Sequence, residues 1–241
     1  MRTVEVLFDK QSLVDRALEL VLAKLRSTLE KRDRATIVLA GGSTPKPLYE
    51  ALAGQDLPWD KLHVFWGDER YVPPDDPDSN QRMARLAWLD RVPIPAANIH
   101  PFPTQAGNPE TDANSYETHL RQFFGLSEKD FPVFDLILLG MGDDGHTASL
   151  FPHTEAVQVC DRAVAVGNKD GQPRLTLSVP TINLAECVIF LVAGENKREA
   201  LSHVFSSDPD TDAYPAAIVE PLEGELWWLL DAAAGAEVEK G

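Results

Sequence analysis

The run Cys-Val-Ile-Phe-Leu-Val at positions 187–192 constrains the fold of this chain more than any other feature. It has the length of a strand and no polar alternation, a pattern expected where both faces of a sheet are covered. Further apolar strands are predicted at 36–40 and 134–139, and segments with helical periodicity separate the strands along the chain. This alternation predicts the α/β class, as a Rossmann-like three-layer sandwich with a mainly parallel sheet and helices on both faces.

The remaining elements follow from the same periodicities. The full set of predicted strands is 4–8, 36–40, 62–66, 134–139, 163–166, 175–179, 187–192 and 226–230. The predicted helices are 12–29, 46–53, 80–89, 111–124, one within 194–204, and a short one at 232–234. The first of these is expected to begin at Ser12, with Asp15 three residues on as in a capping box. Neither an internal repeat nor a long linker divides the chain, which predicts a single domain over residues 1–241.

Acidic residues dominate the charge of the chain. Its 241 residues include 22 Lys and Arg against 38 Asp and Glu, giving a formal net charge of −16. Such a charge favours solubility and repels nucleic acid and anionic membranes at long range, so neither is expected as a partner. An anionic substrate would have to be held by local cations and backbone N–H groups. The sequence contains no pattern that indicates an oligomeric state, and a monomer or weak homo-oligomer is expected.

Cysteine usage and hydropathy indicate a cytoplasmic protein. The two cysteines, Cys160 and Cys187, have no paired metal-ligand spacing and cannot form a dense disulfide framework. The N-terminus lacks a basic segment followed by an apolar stretch, so no signal peptide is expected. The longest apolar runs have the length of strands, well short of the ~20 residues that a membrane span needs.

A glycine-rich turn follows the strand at 134–139 and carries the most reactive side chains. The sequence is Gly-Met-Gly-Asp-Asp-Gly-His over 140–146. In α/β proteins, functional residues concentrate where such strands end. A carboxylate can fix the tautomer of a histidine and stabilise its cation, so His146 is a candidate base, with Asp144 as its partner and Asp143 facing solvent. The glycines match the dinucleotide fingerprint. That interpretation is rejected, because the two acids would repel a pyrophosphate and no second strand that ends in an acid follows at the required distance.

A second turn, Gly-Gly-Ser-Thr-Pro at 41–45, follows the strand at 36–40. It is either a tight connection or a phosphate cradle. In the second case the backbone N–H groups around Gly42, the hydroxyls of Ser43 and Thr44, and the helix N-terminus would hold the anion. The turn is not a Walker A loop, because no Gly-Lys-Ser/Thr follows.

Three cations are candidates to assist this cradle. Arg70 follows the strand at 62–66, where it forms either a surface ion pair with Asp68 or Glu69 or a bidentate anion contact. Arg174 begins a strand and Lys197 begins a helix, and both residues have ordinary surface roles as alternatives. The other histidines have no metal-like spacing and are interpreted as structural or surface residues; they are His63, His100, His119, His153 and His203.

Taken together, these segments resemble bacterial 6-phosphogluconolactonases, within the wider group that includes glucosamine-6-phosphate deaminases. The similar segments run in family order over nearly the whole chain, at 39–45, 66–70, 79–80, 139–152, 174–177 and 194–197. The resemblance implies hydrolysis of 6-phosphoglucono-1,5-lactone to 6-phosphogluconate, in the oxidative pentose phosphate pathway. It also implies one Rossmann-like domain with no required metal and no cofactor.

The resemblance assigns roles to the candidate residues. His146 is the base, Arg70 is a catalytic or phosphate-binding cation, and Lys197 lies near the phosphate. The remaining implied substrate contacts are Gly42, Ser43, Thr44, Asp68, Asn80 and Arg174. In this scheme, water attacks the lactone carbonyl with His146 taking the proton and Asp144 stabilising the cation. No covalent nucleophile is required, and Ser149 lacks the Gly-x-Ser-x-Gly elbow of one.

Two other functions compete with this interpretation. The deaminases of the group continue the histidine motif with Asn-Glu-Pro, whereas Phe151 stands here in place of that glutamate. Asp68 remains available as a base, so chemistry alone does not exclude an isomerase or a deaminase. The other alternative is a non-catalytic sugar-phosphate sensor, which would keep the cradle without needing His146; no DNA-binding helix-turn-helix segment is evident.

Overall fold

The structure, a computed structural model, describes residues 2–127 and 129–238. The strands of the described chain are β1 (Arg2–Leu7), β2 (Ala35–Leu39), β3 (Leu62–Trp66), β4 (Asp68–Arg70), β5 (Ile99–His100), β6 (Leu136–Leu139), β7 (Val164–Lys169), β8 (Gln172–Leu177), β9 (Cys187–Val192) and β10 (Glu225–Asp231). Its α-helices are α1 (Lys10–Lys31), α2 (Lys46–Leu52), α3 (Asn80–Ala87), α4 (Pro109–Phe124), α5 (Glu155–Gln158), α6 (Val179–Asn183) and α7 (Arg198–Val204). None of the described helices is long and apolar enough to cross a membrane.

Seven strands form one parallel sheet in the order β1-β10-β9-β6-β2-β3-β5. Every neighbouring pair in it runs parallel. All residues of the inner strands β2, β6 and β9 are buried, as the apolar runs require when both faces of a sheet are covered. The predicted α/β class with a mainly parallel sheet is therefore confirmed. Because the strands are parallel, the turns that follow β2, β3, β6 and β9 lie at one edge of the sheet.

A second sheet has the order β4-β8-β7 and is antiparallel. The strands predicted at 163–166 and 175–179 belong to it, rather than to the parallel sheet. The second of them ends at Leu177, and Val179 begins α6 instead. The short strands β4 and β5 were not predicted, because two or three residues carry no detectable alternation. Gly67 joins the two sheets: its N–H donates to Leu39 of β2, and its carbonyl accepts from Leu177 of β8.

One predicted helix start and one predicted short helix are wrong, and in each case a carboxylate accepts a backbone N–H group at that place. Asp9, rather than Ser12, caps α1, and its carboxylate accepts both the backbone N–H and the hydroxyl of Ser12. The helix predicted at 232–234 is a turn, in which Asp231 accepts the N–H of Ala234. The predicted single domain of residues 1–241 includes residues 1, 128 and 239–241, which lie outside the described residues, and the domain division stays a prediction.

Three histidines form a hydrogen-bonded chain at the β3–β5 side of the sheet, a contact that spacing along the sequence does not reveal. His63 Nδ1 lies 3.0 Å from His100 Nε2, and His100 Nδ1 lies 2.9 Å from His119 Nε2. Each N···N hydrogen bond holds one proton. The three histidines can therefore bind one proton more than in their neutral state, and binding of a second extra proton breaks one of the two hydrogen bonds. Burial, with the two neighbouring histidines, lowers the pKa of His100 to about 4.

The hydrogen-bonded histidines His63, His100 and His119 predict that the protein loses stability in mild acid. Since the pKa of His100 is lower in the folded protein than its ordinary value near 6.5, the unfolded chain binds more protons between about pH 6.5 and pH 4. The unfolding free energy should therefore decrease as the pH is lowered from about 6.5 to about 4. The decrease is at most about 1.4 kcal/mol per pH unit for each extra proton that the unfolded chain binds. Urea unfolding between pH 7 and pH 4 measures this dependence. His100→Phe keeps an aromatic ring beside Phe65 and should flatten it; an equally steep dependence in the variant would contradict the assignment to His100.

Candidate functional site

A cleft of about 390 Å³ lies at the carboxyl edge of the parallel sheet. Its walls come from the turns after β2, β3, β6 and β9, together with the start of β8. The structure brings nearly all the predicted site residues into this cleft: Gly42, Ser43, Thr44, Asp68, Arg70, Asn80, His146, Arg174 and Lys197 line it. Asp144 does not line the cleft and instead contacts His146 from outside it.

The turn at 41–45 is held at the end that follows β2. The hydroxyl of Tyr49 donates to the carbonyl of Ala40 and accepts the Ala40 N–H, which anchors the end of β2. A Cβ on Gly41 would lie 2.0 Å from Oδ1 of Asn80, so only glycine fits there. Gly42 has φ +95°, a conformation that L side chains rarely adopt. Residues 41–45 line the cleft, and an anion cradle there would use their backbone N–H groups.

Asp68 is a buried carboxylate that connects two of the loops around the cleft. The Ser149 hydroxyl donates to its Oδ2 at 2.6 Å, and the Asn80 amide donates to its Oδ1 at 3.3 Å and to its carbonyl at 3.0 Å. Ser149 is itself fully buried. These bonds tie the start of β4 to α3 and to the segment just after the glycine-rich turn at 140–146, called the histidine turn below.

Glu69 is a structural residue whose role the sequence interpretation missed. Its side chain is almost fully buried and accepts the N–H groups of Arg70, Asn80 and Gln81 and the hydroxyl of Ser79. Burial raises the pKa of Glu69, and these backbone hydrogen bonds oppose the rise. The carboxylate thereby fixes the start of α3 against β4. An acid next to a strand end, ten residues before a Ser-Asn helix start, was the available signal.

Two arginines stand side by side on the antiparallel sheet and reach the cleft. Arg70 and Arg174 are register partners across β4 and β8. The Nε atoms of both are buried and have no hydrogen-bond partner within the described chain. Arg70 also donates to the carbonyl of Asp78, and it forms no ion pair with a described Asp or Glu. Burial and the neighbouring Arg70 lower the pKa of Arg174, against the opposing effect of Asp68.

Such a pair favours an anion in the cleft. Two neighbouring, partly buried guanidinium groups repel each other, and a buried N–H without a partner, such as each Nε–H here, costs free energy. An anion between or beside them would satisfy both groups, and a guanidinium presents two donors in a fork that suits a phosphate or carboxylate.

The histidine turn holds its imidazole in one orientation. His146 Nδ1 lies 2.5 Å from Asp144 Oδ1, which also accepts the His146 backbone N–H. A Cβ on Gly142 would lie 2.1 Å from that Nδ1, and the Gly142 N–H donates to the His146 carbonyl. Burial alone would raise the pKa of Asp144, but the hydrogen bonds from His146 and the charges of His146 and Lys169 lower it to about 2. Asp144 is therefore ionised at neutral pH and leaves Nε2 as the basic nitrogen.

Lys197 reaches the cleft from the short helical turn Glu195–Lys197 after β9. Gly194 precedes this turn with φ +104° and donates its N–H to Asp231 at the end of β10. No described acid forms an ion pair with Lys197, in contrast to the adjacent Arg198, which pairs with Glu195. Its ammonium group is therefore available to a ligand. Over the residues described, no group of three or more His, Cys, Asp or Glu side chains is placed to hold a metal ion.

Fold and cleft together define an α/β protein with a cleft at the carboxyl edge of its sheet, which brings unpaired cations next to a carboxylate–histidine pair. The chain belongs to the family described as glucosamine-6-phosphate isomerases/6-phosphogluconolactonase, whose model matches residues 8–228.

Comparison with individual proteins agrees with this family. A 6-phosphogluconolactonase of a Nostoc species is 62% identical over 237 residues, which cover 98% of each chain. A 6-phosphogluconolactonase of a Synechocystis species is 61% identical, with 96% of each chain covered. The crystal structure of 6-phosphogluconolactonase from Leishmania guyanensis superimposes with a TM-score of 0.90, at 30% identity and 99% coverage of both chains.

The geometry predicts where an anion binds. The turn at 41–45 contains no acid, whereas the turn at 140–145 contains Asp143 and Asp144, whose charges oppose an anion at close range. Titration with inorganic phosphate should therefore shift the amide resonances of Gly42, Ser43 and Thr44 most strongly, with sodium chloride at equal ionic strength as the control. Binding of a nicotinamide nucleotide with the largest shifts at 140–145 would contradict this assignment.

Proposed function

We propose that this protein hydrolyses 6-phospho-D-glucono-1,5-lactone to 6-phospho-D-gluconate. The observation that carries the proposal is the oriented His146–Asp144 pair at the wall of a cleft that also holds a glycine cradle and unpaired cations. The relatives at 62% and 61% identity, named 6-phosphogluconolactonase, support the same activity. A lactone carbonyl is already electrophilic, so its hydrolysis needs a positioned base and stabilisation of the oxyanion, both of which these residues can supply.

His146 acts as the general base in this proposal. The Nδ1–H group donates to Asp144, so Nε2 accepts a proton from water as the water oxygen attacks C1 of the lactone. Asp144 stabilises the imidazolium that forms. The tetrahedral intermediate then collapses, the bond between C1 and the ring oxygen breaks, and the imidazolium returns its proton to that oxygen. The net reaction adds one water, and the product ionises as a carboxylate.

The cations and the cradle hold the substrate in this proposal. The 41–45 turn and Lys197 take the phosphate, and Arg174 adds charge beside them. Arg70 serves the oxyanion that develops on the carbonyl oxygen, where a single donor is typically worth roughly 3–4 kcal/mol. Fixing the phosphate at one end of the cleft holds the ring for attack at the other. Asp68, bonded to Ser149 and Asn80, serves as a substrate-facing wall of the cleft together with Asn80.

The competing functions make different products. A deaminase would release ammonia from glucosamine 6-phosphate, and a sensor would bind a sugar phosphate without turnover. Phe151 is buried against His146 at the position where a ring-opening glutamate would be needed, which favours the lactonase. A cytoplasmic location and a monomeric or weakly oligomeric state accompany this proposal as predictions.

Replacement of His146 tests the proposal directly. We expect His146→Ala to lower lactonase turnover by about 100- to 10,000-fold, the usual contribution of a general base, while the fold is retained. Acid release from the lactone is measured above its spontaneous hydrolysis, and ammonia release from glucosamine 6-phosphate is measured in parallel. Wild-type turnover by the variant would eliminate the role of His146, and ammonia release without acid release would favour the deaminase.

The two acids of the histidine turn provide a matched pair. Asp144 orients His146, whereas Asp143 is exposed and makes no hydrogen bond with a described residue. We expect Asp144→Asn to lower kcat by at least about tenfold, because an amide stabilises the imidazolium less well than a carboxylate. Asp143→Asn makes the same chemical change one residue away and should leave kcat near the wild-type value. Equal effects of both substitutions would mean that only the overall charge of the turn matters.

A further inference from the structure

The ring of Phe151 is a shared neighbour of three charged or ionisable groups at the cleft. Phe151 is 5% exposed and follows the histidine turn by five residues. Its ring centroid lies 4.5 Å from that of His146, with an interplanar angle of 44°. The Lys169 Nζ lies 5.4 Å from the same centroid, and the Arg174 Cζ lies 5.6 Å from it. Both cations are within the range of about 6 Å over which a ring face attracts a positive charge.

These contacts matter because the two cations have few others. Neither Lys169 nor Arg174 forms an ion pair or a side-chain hydrogen bond with another described residue, and the Arg174 Nε is buried without a partner. Lys169 ends β7 and Arg174 lies in β8, so one hairpin carries both. Its turn is formed by Asp170 and Gly171, both with positive φ. The Phe151 ring therefore connects this hairpin to the histidine turn.

The electrostatic consequences reach the catalytic pair. Lys169 helps to keep Asp144 ionised, and Arg174 is directed into the cleft beside Arg70. An aliphatic side chain of similar size would fill the same space, but it lacks the negative ring face that attracts both cations. It would also leave the imidazole of His146 without its flat neighbour.

We propose that Phe151 is a positioning residue, whose ring holds the imidazole of His146 and the cations Lys169 and Arg174 in their places around the cleft. This inference rests on the proposed lactonase function, in which His146 is the base and Arg174 contacts the substrate. Loss of the ring affects kcat through His146 and KM through Arg174, which lines the cleft.

Two substitutions separate the shape of the ring from its charge distribution. Phe151→Leu removes both, and we expect kcat to fall about tenfold and KM to rise severalfold, in line with contacts of this type at desolvated sites. Replacing Phe151 by 3,4,5-trifluorophenylalanine keeps the shape but withdraws charge from the ring face. This replacement should raise KM while kcat stays within about twofold of the wild-type value.

Phe134→Leu is the matched control, since Phe134 is fully buried two residues before β6 begins, at the end of that strand remote from the histidine turn. It should lower the melting temperature without changing kcat or KM.

A measurement without substrate distinguishes failure of this inference from failure of the proposed function. The Hε1 resonance of His146 should carry a ring-current shift from Phe151 that is lost in Phe151→Leu and retained in Phe134→Leu. If the wild-type protein does not hydrolyse the lactone, the proposed function fails, whatever the resonance shows. If the wild-type protein is active, then wild-type kinetics in folded Phe151→Leu, or a wild-type KM with the trifluorinated ring, would overturn the role of Phe151.

Discussion

The site depends on the hydrogen bonds that the buried carboxylate of Asp68 accepts. A parallel sheet brings its strand ends to one edge, but it does not fix the loops that continue from them. Asp68 begins β4, two residues after the end of β3, and accepts hydrogen bonds from Ser149, in the loop after β6, and from Asn80, at the start of α3. Asn80 in turn fills the space that a side chain on Gly41 would need. One buried acid thus helps to position the turn at 41–45, strand β4 and the segment that follows the turn at 140–146, and replacing it would disturb all three.

The charge of the protein and the charge of its cleft have opposite signs. The chain carries a net charge of −16, yet Arg70, Arg174 and Lys197 meet at the cleft without ion-pair partners among the described acids. Neutralising them within the protein would be simple in so acidic a chain, and it would stabilise the empty cleft. Arg70 and Arg174 instead keep buried Nε–H groups without partners, so binding of an anion that accepts from them is more favourable. The unfavourable arrangement is therefore a feature of binding rather than of folding.

The sequence predicted the parallel sheet and most of the cleft, because both depend on local patterns. Apolar runs such as Cys187–Val192 report burial directly, and glycine turns after strands report where the chain must bend. What local patterns did not contain were pairings between distant residues. The three-residue strand β4 exists only because β8 pairs with it, Glu69 caps a helix that starts eleven residues later, and His100 bonds to histidines 37 and 19 residues away. Each of these contacts is created by the tertiary fold and has no signature within a short window of sequence.

The most direct test of this account is a crystal structure with 6-phosphogluconate bound. The central claim is an orientation: the phosphate lies on the turn at 41–45, and the C1 carboxylate lies against His146. We predict phosphate oxygens within hydrogen-bond distance of the Gly42, Ser43 and Thr44 N–H groups, and a carboxylate oxygen about 3 Å from the His146 Nε2. The reverse orientation, with the phosphate at His146 and the carboxylate on the glycine turn, would contradict the account, because the base would then face a group that does not react.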